Sequence, residues 1–195
     1  MVSSELFGTW IGATPEVLLK TNENQLYTTA LAGTKKDLSI DWTNKEVEEQ
    51  AFVTQQILTV ADKYKLNHLK CSETYTYKAG PVYHLKSDIN FDFEKEEILN
   101  LISDLHPTPA VAGLPLENAL RLIYESEPHN RLFYTGFLGD LKRDKSTLFV
   151  NLRCAQLIEN KAFLYLGGGF TKESDVLEEW EETENKAITL LQILK

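Results

Sequence analysis

The side chains with the clearest chemical potential lie just after three consecutive glycines, Gly167-Gly168-Gly169, on a helix rich in glutamate. Glycine carries no Cβ, so such backbone can approach a ligand closely. Ser174 or Asp175 suits the N-cap of the helix that follows. Val176, Trp180, Ala187, Leu191 and Leu194 fall on one apolar stripe at 100° per residue. Glu179, Glu182 and Lys186 share one edge of that stripe, because residues three and four apart are helical neighbours. Carboxylates at the margin of a buried face are half desolvated and need a partner, most simply a cation. Acids in a first helical turn also complement the helix dipole with no ligand at all. This helix by itself therefore leaves a solvated acidic start and a metal site both open.

A second helix repeats the pattern. Thr43 followed by Glu46 is a capping-box signal that opens a helix running to about Leu66, with Val47, Ala51, Leu58 and Ala61 as its apolar stripe. Glu46 and Glu49 lie three apart on one flank. Two such pairs facing one another would make an oxygen-only site, and hard Mg²⁺ is the ion that site suits.

The elements that must position these helices are mostly strands. Leu6 to Ala13 and Glu16 to Lys20 read as β, broken at Thr14-Pro15, and Gln25 to Leu31 follows a turn at Asn22-Glu23-Asn24. His68 to Tyr77 and Pro81 to Phe93 read as two strands around Lys78-Ala79-Gly80. Glu94 to Leu105 reads as a helix, His106 to Leu114 as a rigid loop, and Pro115 as the first helical residue before Leu116 to Glu127. Three strands follow, over Leu132 to Leu141, Thr147 to Ile158 and Ala162 to Leu166. The expected fold class is α+β, a layered, largely antiparallel β-sheet with helices packed outside, in one domain over residues 1–195.

Composition bounds the partners. With 195 residues, 43% hydrophobic and 25% charged, the chain has ordinary globular composition and enough length for a sizeable core. A formal net charge of -9 argues against nucleic acid and anionic membrane. The N-terminal residues show no basic-then-apolar leader pattern, and no apolar run reaches the ~20 residues of a membrane span. Cys71 and Cys154 lack metal-binding spacing and suggest a reducing compartment. A soluble cytoplasmic protein is the expectation. An anionic ligand would then need local positive charge to offset the global field.

Several segments, in order along the chain, resemble the chorismate-binding enzyme family and, within it, the isochorismate synthases. They are Ala13-Thr14-Pro15-Glu16, Ala32-Gly33-Thr34, Lys45 to Val53, His84-Leu85-Lys86-Ser87, Leu105 to Pro115, Tyr134-Thr135-Gly136, Asn151 to Ala155, and Gly167 to Lys186. The resemblance implies conversion of chorismate, a cyclohexadiene dicarboxylate, with Mg²⁺ holding the ring carboxylate. It implies Glu49 and Glu182 as metal ligands, with Glu46 and Glu179 ordering metal-bound water. It also implies that Arg153 and Tyr134 meet the enolpyruvyl carboxylate and that the backbone of Gly33-Thr34 and Gly167-Gly168 donates N–H groups to the two carboxylates. Lys186 is similar to a family lysine near metal and substrate, Glu16 to the general acid for the departing C4 hydroxyl, and His84 to a histidine on the ring hydroxyl. A raised pKa for Glu16 is expected from a site shared with other carboxylates.

Relatives that use ammonia resemble one another in carrying threonine where this chain has Ala110, which points to water as the nucleophile here. Isochorismate formation is the expected reaction, with a salicylate-forming variant the second choice, in a pathway towards a quinone or a siderophore. The family's general-base lysine lies upstream of the Thr-Pro-Glu motif, and no lysine precedes Glu16. Two readings follow: isochorismate synthase chemistry, complete or completed by a partner chain, or a Mg²⁺-dependent chorismate-binding segment without turnover. Unpaired sheet edges would favour self-association or a covering partner.

Overall fold

A computed structural model describes the chain at all positions except 15, 36, 80, 81, 173, 194 and 195. Pro15 of the Thr-Pro-Glu motif, Gly80 and Pro81 at the predicted turn, and Leu194 of the apolar stripe therefore lie outside the described residues. The elements in chain order begin with β1 Val2–Ser4, β2 Gly8–Gly12, β3 Val17–Asn22, β4 Gln25–Lys35 and α1 Asn44–Lys63. Then come β5 Asn67–Cys71, β6 Tyr75–Ala79, β7 Val82–Asp92, a 3₁₀ turn Lys95–Glu97, α2 Ile98–Leu105, α3 Pro109–Ala112 and α4 Leu116–Ser126. The last are β8 Phe137–Asp140, β9 Lys145–Val150, β10 Cys154–Ile158, β11 Lys161–Tyr165 and α5 Val176–Ile193.

All strand pairs are antiparallel, in two sheets. The smaller has the order β1-β2-β10-β11 and the larger β5-β7-β4-β3-β9-β8, with β6 also on β7. The α+β expectation holds. Apolar side chains of α1 and α2 pack on the inner face of the large sheet: Val53, Ile57, Val60, Leu101, Ile102 and Leu105 meet Leu26, Ile89, Phe91 and Leu148 in one core. Each such side chain is worth about 1.5–3 kcal/mol once fully removed from water.

Two strands pass from one sheet to the other at the same place, and this crossover positions much of the site. Ala13 donates its N–H to the Arg153 carbonyl at 2.9 Å, and Val150 donates to the Glu16 carbonyl at 3.0 Å. Ala13 and Glu16 are thus tied to Arg153 and Val150 between the sheets. A Cβ on Gly12 would lie 2.8 Å from Asn151 Oδ1, so the crossing tolerates no larger residue there. Thr147 to Ile158 is accordingly two strands, and Arg153 sits at the bend between them rather than in a strand.

Other expectations need correcting. His68 to Tyr77 divides into β5 and β6, because Ser72 Oγ accepts the Asp88 N–H at 2.9 Å and takes the place of a backbone partner. Residues 132–136 form a turn with Leu132 and Thr135 at positive φ, leaving only β8 as strand. The loop after His106 contains α3, and Pro115 is the N-cap of α4, one position before the helix proper.

Both long helices are rotated from their predicted faces. On α1, Val47 is exposed and the buried line is Gln50, Val53, Ile57, Val60 and Ala61. On α5, Val176, Trp180 and Leu191 are 69%, 63% and 45% exposed, while Glu179 and Leu190 are 4% and 1%. The cause on α5 is electrostatic: Glu179 and Lys186 each find a partner on the body of the protein, and that turns the polar row inward.

Candidate functional site

The first turns of α1 and α5 meet through side-chain charge. Lys45, in the first turn of α1, donates from Nζ to Glu179 Oε1 on α5 in a very short contact. A lysine at a helix start opposes the helix dipole, so this placement needs an anion, and Glu179 supplies it from across the chain. Ser174 Oγ also donates to Glu179 Oε1, at 2.6 Å. Asp175, the residue that caps α5, accepts the N–H groups of Leu177 and Glu178. One turn further along, Lys186 Nζ reaches Glu182 Oε1 at 2.5 Å and the Gly167 carbonyl at 3.0 Å.

Glu49 lies inside this group. Desolvation pushes its pKa up to about 6; Lys45 opposes the rise, and the carboxylates of Glu182, Glu179 and Glu46 add to it. The charges of Glu49 on α1 and Glu182 on α5 thus act on one another across the two helices. Glu46 is differently engaged: its Oε2 accepts both the N–H and the hydroxyl of Thr43 at 2.6 Å, and its other oxygen is 3.9 Å from Lys35 Nζ. Among the described residues, no three His, Cys, Asp or Glu side chains converge as metal ligands. The donor chemistry is nonetheless all carboxylate oxygen, the kind a hard cation takes, and a divalent ion between the acids would relieve the repulsion that adds to the effect of burial at Glu49.

A cavity of about 500 Å³ opens beside these acids, lined in part by Thr34, Lys35, Arg153, Glu181, Glu182 and Lys186. That volume suits a small organic ligand. The Arg153 guanidinium makes no hydrogen bond or ion pair among the described residues; burial pulls its pKa down and only the Glu182 charge opposes that. An unpaired, half-buried guanidinium is poised for a bidentate anion.

His84, on β7, is 4% exposed. Its Nδ1 lies 2.7 Å from the Gly33 carbonyl, which can only accept, so Nδ1 carries the proton. Nε2 is then a bare acceptor, and it is buried with no partner among the described residues. Burial lowers the His84 pKa, and the charges of Arg153 and Lys186 lower it further, so the ring is neutral near pH 7. Gly33 and Thr34 sit where the β4–β7 register shifts, between Ala32 and Lys35. Gly33 has φ +68° and a Cβ there would lie 3.0 Å from Glu46 Cβ, so α1 packs directly over this bulge.

Glycines 167 and 168 are each required by a different side chain. A Cβ on Gly167 would fall 2.5 Å from Tyr134 Oη, and one on Gly168 would fall 3.2 Å from Glu179 Oε2. Tyr134 is buried and its pKa is pushed up to about 12 by desolvation. Glu16 is 3% exposed, and burial pushes its pKa up to about 7 against the opposing Thr108 hydroxyl, which donates to Oε1 at 3.4 Å. The expected cause, neighbouring carboxylates, is replaced by desolvation. Of the predicted residues, Thr34, Arg153, Glu182 and Lys186 line the cavity; Glu16, Gly33, Glu46, Glu49, His84, Ala110, Tyr134, Gly167, Gly168 and Glu179 do not, and Ala110 is exposed on α3.

Sequence reasoning missed Lys45, Lys35, Ser174 and Thr108. Lys45 carried a signal, since Lys45 and Glu49 are four apart in the weaker lysine-first order, which leaves the ammonium free to pair elsewhere.

Comparison with known proteins adds an independent line. Residues 4–195 match the family described as chorismate binding enzyme. The chain is 32% identical to isochorismate synthase MenF of Escherichia coli over 203 residues, covering 95% of this chain and 46% of that protein. It is 30% identical over 195 residues to the vibriobactin-specific isochorismate synthase of Vibrio cholerae, covering 93% of this chain and 49% of the relative. Among solved structures it superimposes on MenF of Escherichia coli with a TM-score of 0.85 at 30% identity, over 95% of this chain and 46% of that one. The chain spans about half the length of the curated relatives it matches.

Proposed function

The chain belongs to the chorismate-binding enzyme family, and on that premise we propose that it takes part in isochorismate synthase chemistry. Water adds at C2 of chorismate, the ring double bonds shift, and the C4 hydroxyl leaves, so that the net change is an isomerisation. The observation that carries this reading is the unpaired Arg153 guanidinium in a cavity walled by the carboxylates of α5. It answers the question raised by the negative net charge, namely where a doubly anionic ligand finds local positive charge.

Each residue has a role in this reading. Arg153 grips the enolpyruvyl carboxylate as a fork, and the Tyr134 hydroxyl serves the same group. The N–H groups of Gly33-Thr34 and Gly167-Gly168 serve the carboxylates, as concave donor-rich backbone does. His84 Nε2, a bare acceptor, orients a ring hydroxyl. Glu16, with its pKa at about 7, still holds a proton near neutral pH and donates it to the departing C4 oxygen. The acceptor for the proton of the attacking water lies outside the roles assigned to residues 1–195.

Mg²⁺ would be held by Glu49 and Glu182, with Glu46 and Glu179 ordering water around it and Lys186 alongside. When bound it supplies the positive charge that fixes the ring carboxylate. A partner chain or a second copy completes the assembly in this reading; the exposed Val176, Leu177 and Trp180 on α5 support one. The product is a precursor of a quinone or a siderophore, and the site of action is the cytoplasm.

The test is incubation of the purified chain with chorismate and Mg²⁺, with products separated by chromatography. Isochorismate is the expected product. Salicylate would reassign the reaction, and saturable binding with no product would leave a binding segment without turnover.

A further inference from the structure

Lys45 has a position that the roles above leave unexplained. It stands in the first turn of α1, where the helix dipole disfavours a cation. Its Nζ contacts Glu179, a residue only 4% exposed, from 134 positions away in sequence. Burial lowers its pKa, yet the hydrogen bond and charge of Glu179, then Glu49 and Glu182, overcome that and raise it. One ammonium therefore faces three of the four acids that converge from α1 and α5. The second lysine is bound to Glu182.

Of the four acids, Glu179 and Glu182 are each paired with an ammonium, Lys45 and Lys186 respectively. Lys45 differs from Lys186 in one respect: Lys186 is also anchored to the Gly167 carbonyl, whereas Lys45 has only Glu179 as a hydrogen-bond partner among the described residues. Its Nζ sits at the end of a flexible stem, and the side chain is a quarter exposed. It can swing to water once another cation neutralises the acids around it.

We propose that Lys45 is an internal counter-ion that competes with Mg²⁺ for the α1–α5 carboxylates, holding the two helices together in the metal-free protein and leaving Glu179 when the ion binds. The inference rests on the reading of Glu49 and Glu182 as the metal ligands. It assigns Lys45 a positioning role, with no contact to the reacting atoms. The device keeps a buried acid, Glu179, from standing uncompensated when the ion is absent, a state that buried carboxylates cannot sustain without cost. It also lowers affinity for the ion, because the ammonium must be displaced first. Glu179 is the hinge of the exchange, since Ser174 keeps a hydrogen bond to the same Oε1 throughout.

The experiment is titration of the purified chain with MgCl₂ alone, followed by isothermal calorimetry, with thermal unfolding measured in parallel with and without the ion. Lys45→Met removes the charge at nearly constant length, and Lys45→Gln is the second variant should the first fold poorly. Lys45→Arg keeps the charge. Loss of a partly exposed competing ion pair is expected to tighten Mg²⁺ binding by up to about five-fold. The metal-free melting temperature should fall in Lys45→Met while the Mg²⁺-saturated one returns to that of the natural chain, so that the metal-induced shift grows. Lys45→Arg should stay close to the natural chain. A merely structural lysine would lower both melting temperatures and leave the affinity alone. Equal or weaker Mg²⁺ binding by both neutral variants overturns the competition while leaving the metal site standing. No saturable Mg²⁺ binding by any of the four proteins overturns the metal site itself, and Lys45's role with it.

Discussion

Gly167 and Tyr134 stand so close that a β-carbon on the glycine would lie 2.5 Å from the tyrosine oxygen. The Gly167 carbonyl also accepts from Lys186 Nζ at 3.0 Å. One residue thus fixes a hydroxyl from the turn before β8 and an ammonium from α5. Gly167→Ala must push Tyr134 away, and Tyr134 is 8% exposed against Trp10 and Cys154 with little room to yield. Overpacking of this kind costs roughly 1–3 kcal/mol. Urea denaturation should show that loss, and chorismate affinity should fall with it. A Gly167→Ala chain of unchanged stability and affinity would show that the loop simply relaxes.

Glu16 makes the stability of the protein depend on pH. Its pKa is about 7 in the folded chain, against 4.5 for the free carboxyl, because burial disfavours the charged form. The unfolded chain therefore loses its proton first. Stability from this group is full below about pH 4.5 and drains away as pH rises towards and through 7. A shift of this size corresponds to roughly 3 kcal/mol as an upper figure. Urea midpoints between pH 5 and 8 should fall for the natural chain and be flatter for Glu16→Gln. In the proposed reaction the same variant has no proton to give, and product formation should stop.

Arg153 should matter to binding and little to folding. Its guanidinium has no ion-pair partner among the described residues, so its removal orphans none of them. A charge-assisted pair is worth about 1.5–3 kcal/mol, so Arg153→Ala should weaken chorismate binding roughly ten- to a hundred-fold by calorimetry. Arg153→Lys should recover only part of this, because an ammonium cannot make two parallel hydrogen bonds. Unchanged affinity in Arg153→Ala would move the enolpyruvyl carboxylate elsewhere.

How far the sequence could be read depended on the range of the forces involved. Local signals survived: the Thr43–Glu46 cap, the Asp175 cap and the turn at residues 22–24 all fall where residue type puts them. Helix faces did not. The stripe assigned to α1 began at Val47, which is exposed, because Gln50 on the inward line looked polar; in the fold its amide donates to Thr54 and Ser87 and is satisfied. On α5 the apolar stripe faces outward because Glu179 and Lys186 are held by Lys45 and Gly167, partners 134 and 19 positions away. The strand around Arg153 was overextended for a similar reason. A crossover between sheets keeps β-type residues on both sides of a bend, and period-two alternation carries straight through it. Glu16 was identified through the family motif with the wrong cause for its pKa, since burial at 3% exposure cannot be read from spacing.

Glu182 provides the sharpest test of the two-helix site. Its side chain is one-third exposed, and its only ion-pair partner among the described residues is Lys186, four residues along the same helix. An i,i+4 pair of this kind is worth about 0.3–0.5 kcal/mol. Glu182→Ala should therefore leave the far-ultraviolet spectrum unchanged and the melting temperature nearly so. Its effect on ligand binding should be large by comparison. Without Glu182, Glu49 loses the carboxylate that contributes most among the acids to its raised pKa, and Mg²⁺ loses one of two ligands. Chorismate binding that depends on Mg²⁺ should vanish, while any residual binding should match that of the natural chain treated with a chelator. Glu182→Asp, with the carboxylate drawn back by one carbon, should fall between the two. Metal-dependent binding that survives Glu182→Ala would exclude this side chain from the site, and the pairing of α1 with α5 would then stand as an ion-pair contact alone.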